Sequence, residues 1–192
     1  MSSAAMMEWV RETSPRFRAR VTGTVYLLYF LTAILAQVLI SQKLIAFGNA
    51  TNLFATGAYV LLTLLFYVMF KPVNLLVSML AAMLSLAGCV VMTLDQLYPA
   101  SVSFSPLPFF GSYCLLIGYL IFRSTFLPRI LGVFMALAGL GWLAFLSPVL
   151  ARYLTLYIEG LGIFAEASLM LWLIVKGVNA QQWTAQAGAG RR

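Results

Sequence analysis

Histidine is absent from this 192-residue chain. Its absence excludes His-ligated haem, His-containing zinc sites, and every Ser–His or Cys–His catalytic pair. Cysteine is nearly absent, and Cys89 and Cys114 alone cannot hold an iron–sulfur cluster or a four-cysteine zinc site. Both lie inside apolar runs and read as small buried hydrophobes rather than as a disulfide. Charge is scarce as well. Only 9% of residues are charged while 62% are hydrophobic. A water-soluble fold draws on roughly 25% charged residues to cover its surface, so the solvent this composition suits is lipid.

Twelve basic against five acidic residues give a net charge of +7, but the basic residues do not cluster as a nucleic-acid footprint requires. They fall in short pieces between long apolar runs. Those runs predict an all-α, polytopic integral membrane protein: a bundle of six transmembrane helices over about 21–40, 53–70, 73–94, 106–122, 130–147 and 154–175. A basic N-terminal segment, 1–20, precedes the membrane domain, 21–177. The tail, 178–192, is rich in Gly, Ala and Gln and is expected to be disordered. Ser14-Pro15 and Ser105-Pro106 carry the pairing of N-cap and first-turn proline that opens a helix. A cleaved signal peptide is the rival reading of the first run, but the run is long and lacks a small-x-small cleavage site.

Charge placement sets the orientation. With the N-terminus inside, Arg11, Arg16, Arg18, Arg20, Lys71, Arg123, Arg129, Lys176, Arg191 and Arg192 are cytoplasmic, and only Lys43 and Arg152 fall outside. This bias predicts an even span count and both termini in the cytoplasm.

The run Gly118-Tyr-Leu-Ile-Phe-Arg-Ser-Thr-Phe-Leu-Pro-Arg-Ile-Leu-Gly132 resembles the bacterial membrane family known as domain of unknown function 4386. Glu166-Ala-Ser-Leu-Met-Leu-Trp-Leu-Ile-Val-Lys-Gly177 is similar to that family's last span, and Phe70-Lys-Pro-Val73 also looks similar. The resemblance covers most of residues 20–183, with Ala165 standing where the family tends to have Gly. It implies a multi-span protein of a bacterial inner (plasma) membrane, and no reaction.

Glu166 is the candidate site residue that composition cannot explain, because it falls near the middle of the sixth run. A carboxylate at that depth costs about 2.5–3.5 kcal/mol on insertion scales, so it is expected to face protein and to be mostly protonated. It serves either as a proton- or cation-coupled site or as a neutral hydrogen-bonding contact between helices. Glu159, Gly162 and Met170 share its helical stripe. Glu159 is a ligand or proton-site candidate that would extend a polar track outward, or simply a solvated residue. Thr32, Gln37, Ser78 and Ser85 are candidate partners.

Arg123 and Arg129 flank a short connection and are candidate contacts for anionic headgroups, or plain determinants of orientation. Gly132, Ala136 and Gly139 form a small-residue stripe expected to pack closely on another helix. Tyr59-Val-Leu-Leu before Phe70-Lys-Pro72 and Tyr113-Cys-Leu-Leu before Phe126-Leu-Pro128 leave open a parallel repeat or a chance similarity. No catalytic residues, cofactor or metal ligands are identified. Ser112 and Ser124 have no base to activate them, and an intramembrane enzyme is disfavoured. Membrane lipids are the expected partners, with no nucleic acid, and a homo-oligomer and a larger membrane complex are both open. The functional alternatives are a small solute- or lipid-binding or transport protein centred on Glu166, and an accessory subunit packed against a larger membrane complex. A polar cavity reaching Glu166 favours the first, and a dry bundle the second.

Overall fold

Ser14 opens the first helix, its side chain accepting a 3.2 Å hydrogen bond from the Phe17 amide while Pro15 occupies the first turn. The structure, a computed structural model, describes residues 14–98 and 105–189. Among them are seven α-helices, one 3₁₀ turn and no strand. They are α1 (Pro15–Ser41), α2 (Ile45–Phe70), α3 (Leu75–Leu97), α4 (Leu107–Arg123), α5 (Arg129–Leu143), α6 (Pro148–Val175) and α7 (Ala180–Ala189), with the 3₁₀ turn Ala144–Leu146 between α5 and α6. Glu8, Glu12 and Arg11 of the N-terminal segment, residues 99–104 of the loop after α3, and Arg191 and Arg192 lie outside the described residues.

Among the described residues five helical stretches are long and apolar enough to cross a membrane: Pro15–Ser41, Ile45–Phe70, Leu75–Leu97, Arg129–Leu146 and Val149–Val175. The apolar α4 has 17 residues, about 25 Å at 1.5 Å per residue. Large apolar side chains stay uncovered on the outer faces, with Leu76 at 70% and Leu156 at 78% exposed. Patches of that size are unstable in water and at rest in hydrocarbon. The chain is a membrane-embedded helical protein.

The first six helices form a ring. Each packs on its neighbours in the chain, and α6 lies between α5 and α1. Tyr59, Leu62, Phe66 and Phe70 of α2 are all buried and run through the centre. The α4–α5 pair is held by glycine against glycine. A Cβ on Gly118 would lie 2.7 Å from the Gly132 carbonyl oxygen, and one on Gly139 would lie 2.7 Å from that of Gly111. The small-residue stripe of α5 therefore packs on a matching stripe of α4.

Besides the earlier start of α6, at Pro148 rather than at 154, two segments differ from the sequence reading. The α1–α2 connection is only Gln42–Leu44, since α2 starts at Ile45 rather than at 53. The turn is closed by Lys43 at φ 64°, with its amide bonded to the Ile40 carbonyl and that of Leu44 to Leu39. Gly48 and Asn52 suggest a loop by type, yet Gly48 lies inside α2, where a Cβ would meet Ile40 of α1.

The second difference is the tail expected to be disordered. Gly177, at φ 68°, ends α6, and residues Ala180–Ala189 then form α7. Trp183 Nε1 donates a 3.0 Å bond to the Met69 carbonyl, and the Arg18 guanidinium stacks 4.5 Å from the Trp183 ring centroid. Gln186 Oε1 accepts from the amide and the hydroxyl of Thr125, each at 3.1 Å. A few directed contacts thus replace the apolar face that the tail lacks.

Candidate functional site

Glu166 sits on α6 next to Ala165, which is fully buried. Among the described residues its one hydrogen-bond partner is Tyr26 of α1, whose hydroxyl donates to Oε2 at 2.8 Å. Tyr26 is 2% exposed and its ring packs edge-on against Phe66 at 5.8 Å. The aromatic cluster continues through Tyr29, which lies 4.7 Å from Tyr59, and Tyr59 meets Phe110 and Tyr113. Three of the four residues expected as partners, Thr32, Ser78 and Ser85, are engaged elsewhere, while Gln37 lines the same cavity as Glu166. Thr32 bonds back to the Leu28 carbonyl, Ser78 donates to Tyr67, and Ser85 pairs with Thr63 at 2.6 Å.

Beyond the Tyr26–Glu166 contact a cavity of about 760 Å³ opens between α1 and α6, backed by α2, α3 and α5. Its polar lining is Gln37 and Ser41 of α1, Asn52 and Thr56 of α2, and Glu159 and Glu166 of α6. Tyr29, Phe30 and Trp142 add aromatic rings to the lining. Glu159 and Glu166 are separated by two helical turns, roughly 10 Å along the axis, so one cavity spans from an exposed carboxyl to a part-buried one. Asn52 is itself oriented by its amide, which donates to Gln96 Oε1 at 2.9 Å.

Gly162 has a different role from the one its type suggests. It admits an indole ring, not a neighbouring backbone: a Cβ there would lie 2.5 Å from Trp142 Cζ2. Trp142 is thereby laid against α6 as a cavity wall. Met170, on the same stripe, is buried in the core.

The remaining candidates are apart from this cavity. Arg123 ends α4 and Arg129 begins α5, both exposed, with the Arg129 guanidinium 5.5 Å from the Phe122 ring centroid. Cys89 and Cys114 are buried free thiols. Asp95 is exposed at the end of α3.

With the geometry in place, residues 89–177 match the family model described as a domain of unknown function (DUF4386). Over this stretch the chain is similar to that family. That stretch holds Met92, Trp142, Glu159 and Glu166 of the cavity, while Tyr26, Gln37 and Asn52 precede it. An uncharacterised protein of Archaeoglobus fulgidus is 28% identical over 120 residues, covering 58% of this chain and 72% of the relative. No solved structure matches the chain. The matched stretch thus contributes one carboxyl-bearing wall, and the tyrosine that meets it comes from α1.

Proposed function

We propose that the protein is a six-span plasma-membrane protein, with both termini cytoplasmic, that binds or carries a small solute or lipid-like ligand in the α1–α6 cleft. The observation that carries this reading is the cavity, which joins Glu159 to Glu166 two turns further along α6. An accessory subunit held only by packing has no use for a mostly apolar cavity of that size with a few polar side chains placed in it, the make-up and size of small-molecule sites. The positive-inside bias supports an outward-facing mouth, because Ser41, Asn52 and Glu159 stand at the end opposite Lys71, Arg123 and Lys176. The α4 helix completes the even count.

The test is thiol labelling in right-side-out vesicles. Ile163 lines the cleft, whereas Leu171 of the same helix is exposed without lining it. Ile163→Cys should react with a membrane-impermeant methanethiosulfonate reagent from outside, and a lipid-facing Leu171→Cys should stay inert. The native cysteines are buried and silent. An inert Ile163→Cys in a monodisperse protein overturns the cleft as a ligand site, and reaction from the inside alone overturns the orientation.

A further inference from the structure

We propose that the ligand of the α1–α6 cleft is an organic cation with an apolar body. This rests on the reading of the cleft as a binding site and adds the class of ligand.

The lining contains two carboxyl side chains, Glu159 and Glu166, and no Lys or Arg. Gln37 and Asn52 add carbonyl oxygens as neutral acceptors. An anion entering such a cavity meets carboxyl groups and no donor of full charge. A cation meets carboxyls that can give up a proton to it and the aromatic rings of Tyr29, Phe30 and Trp142, the combination that retains ammonium groups in aromatic cages. An inorganic metal ion is poorly served. Among the described residues no group of three His, Cys, Asp or Glu side chains converges on a point, and aromatic rings do not replace oxygen ligands.

The shape of the cleft supplies the apolar half. α1 and α6 touch where Gly23 meets Leu173 and Ile174, and again where Tyr26 meets Glu166. Past that contact the cavity lies between them, edged by Ile34 and Ile163, which are 57% and 58% exposed. Those edges are apolar and open, so an apolar body can lie along them while the ammonium group reaches the carboxyls. Such an ion comes either from water or from the leaflet, as a cationic amphiphile.

The experiment compares two methanethiosulfonate reagents, one carrying ethyltrimethylammonium and one ethylsulfonate, on Ile163→Cys in nanodiscs of uncharged glycolipid. Leu146→Cys, on the exposed 3₁₀ turn, serves as the reference. Relative to it, the cleft should favour the cationic reagent by roughly tenfold or more, as focusing by like-signed walls allows. Glu159→Gln with Glu166→Gln should bring the ratio back toward one. Benzyltrimethylammonium in water, or a dioleoyl trimethylammonium lipid in the disc, should protect the thiol, whereas uncharged neopentylbenzene should not. Protection by the soluble ion alone assigns the source to water, and protection by the lipid alone assigns it to the leaflet.

Equal rates for the two reagents, or protection by neither cation, overturn the cation class while the cleft stands. Failure of both reagents to react sinks the binding site itself. The unmutated cleft gives its ratio whether or not the Gln variants fold.

Discussion

The hydroxyl of Tyr26 and the Oε2 atom of Glu166, 140 residues apart in the chain, meet at 2.8 Å. This contact ties the first helix of the ring to the last. It also marks the floor of the cleft, since α1 and α6 are joined on one side of it and separated by the cavity on the other. One hydrogen bond therefore serves both closure of the fold and the position of the carboxyl.

Removing the bond is expected to have a modest cost. Hydrogen bonds between membrane helices contribute about 0.6 kcal/mol on average and about 1.7 at most. Tyr26→Phe should lower stability within that range, measured by thermal unfolding in detergent. Glu166→Gln, which still accepts from the hydroxyl, should stay near the parent, and Glu166→Leu should lose at least as much as Tyr26→Phe. A double-mutant cycle giving no coupling between the two positions would mean the bond is not formed in the folded protein.

Much of the outline is legible in the residues, and the reasons for the misses are physical. Ser14-Pro15 announces a helix start because side chain and ring act within one turn. Ser147-Pro148 carries the same pair and opens α6, yet hydropathy alone places the sixth run's start at 154. Glu166 stands out by its cost in lipid. Tyr26 does not, since a tyrosine in an apolar run has no signature beyond packing and its partner is remote in sequence. The α7 helix is hidden for a similar reason: it depends on Trp183 and Gln186 finding particular acceptors and donors, not on a periodic apolar face.

The glycine contacts between α4 and α5 give a second expectation. Gly118→Ala and Gly139→Ala each put a methyl group against a backbone carbonyl that cannot move aside, so each should destabilise by about 1–3 kcal/mol, as overpacking does. Gly160→Ala is the contrast. Nothing lies within 4 Å of its Cβ position, and the change should be neutral or stabilising by about 0.5–1 kcal/mol. Equal melting temperatures for Gly118→Ala and Gly160→Ala would contradict the close crossing.

For the tail, Trp183→Ala removes the bond to the Met69 carbonyl and the stack on Arg18 together. An isolated ten-residue helix is unstable in water, so α7 should lose its amide protection in hydrogen exchange while the ring of six keeps its own. Gln186→Ala, which breaks only the Thr125 contacts, should loosen the tail less. Unchanged protection in Trp183→Ala would show that α7 is held by something other than this anchor.

The final expectation concerns the proton on Glu166. Charge near the middle of a bilayer costs about 2.5–3.5 kcal/mol on insertion scales, and the hydroxyl of Tyr26 offers the carboxyl one hydrogen bond and no charge. An empty cleft should therefore hold Glu166 as the neutral acid at pH 6, the tyrosine donating to its carbonyl oxygen. Infrared difference spectra of carboxyl-labelled protein, with Glu166→Gln subtracted, should show the protonated C=O band at that pH. Adding benzyltrimethylammonium should diminish the Glu166 band, because a cation seated against the carboxyl replaces the proton, which leaves to water. A carboxyl found fully ionised at pH 6 in the empty protein would mean that Glu166 is freely solvated through the cleft. The bilayer cost invoked for it would then not apply.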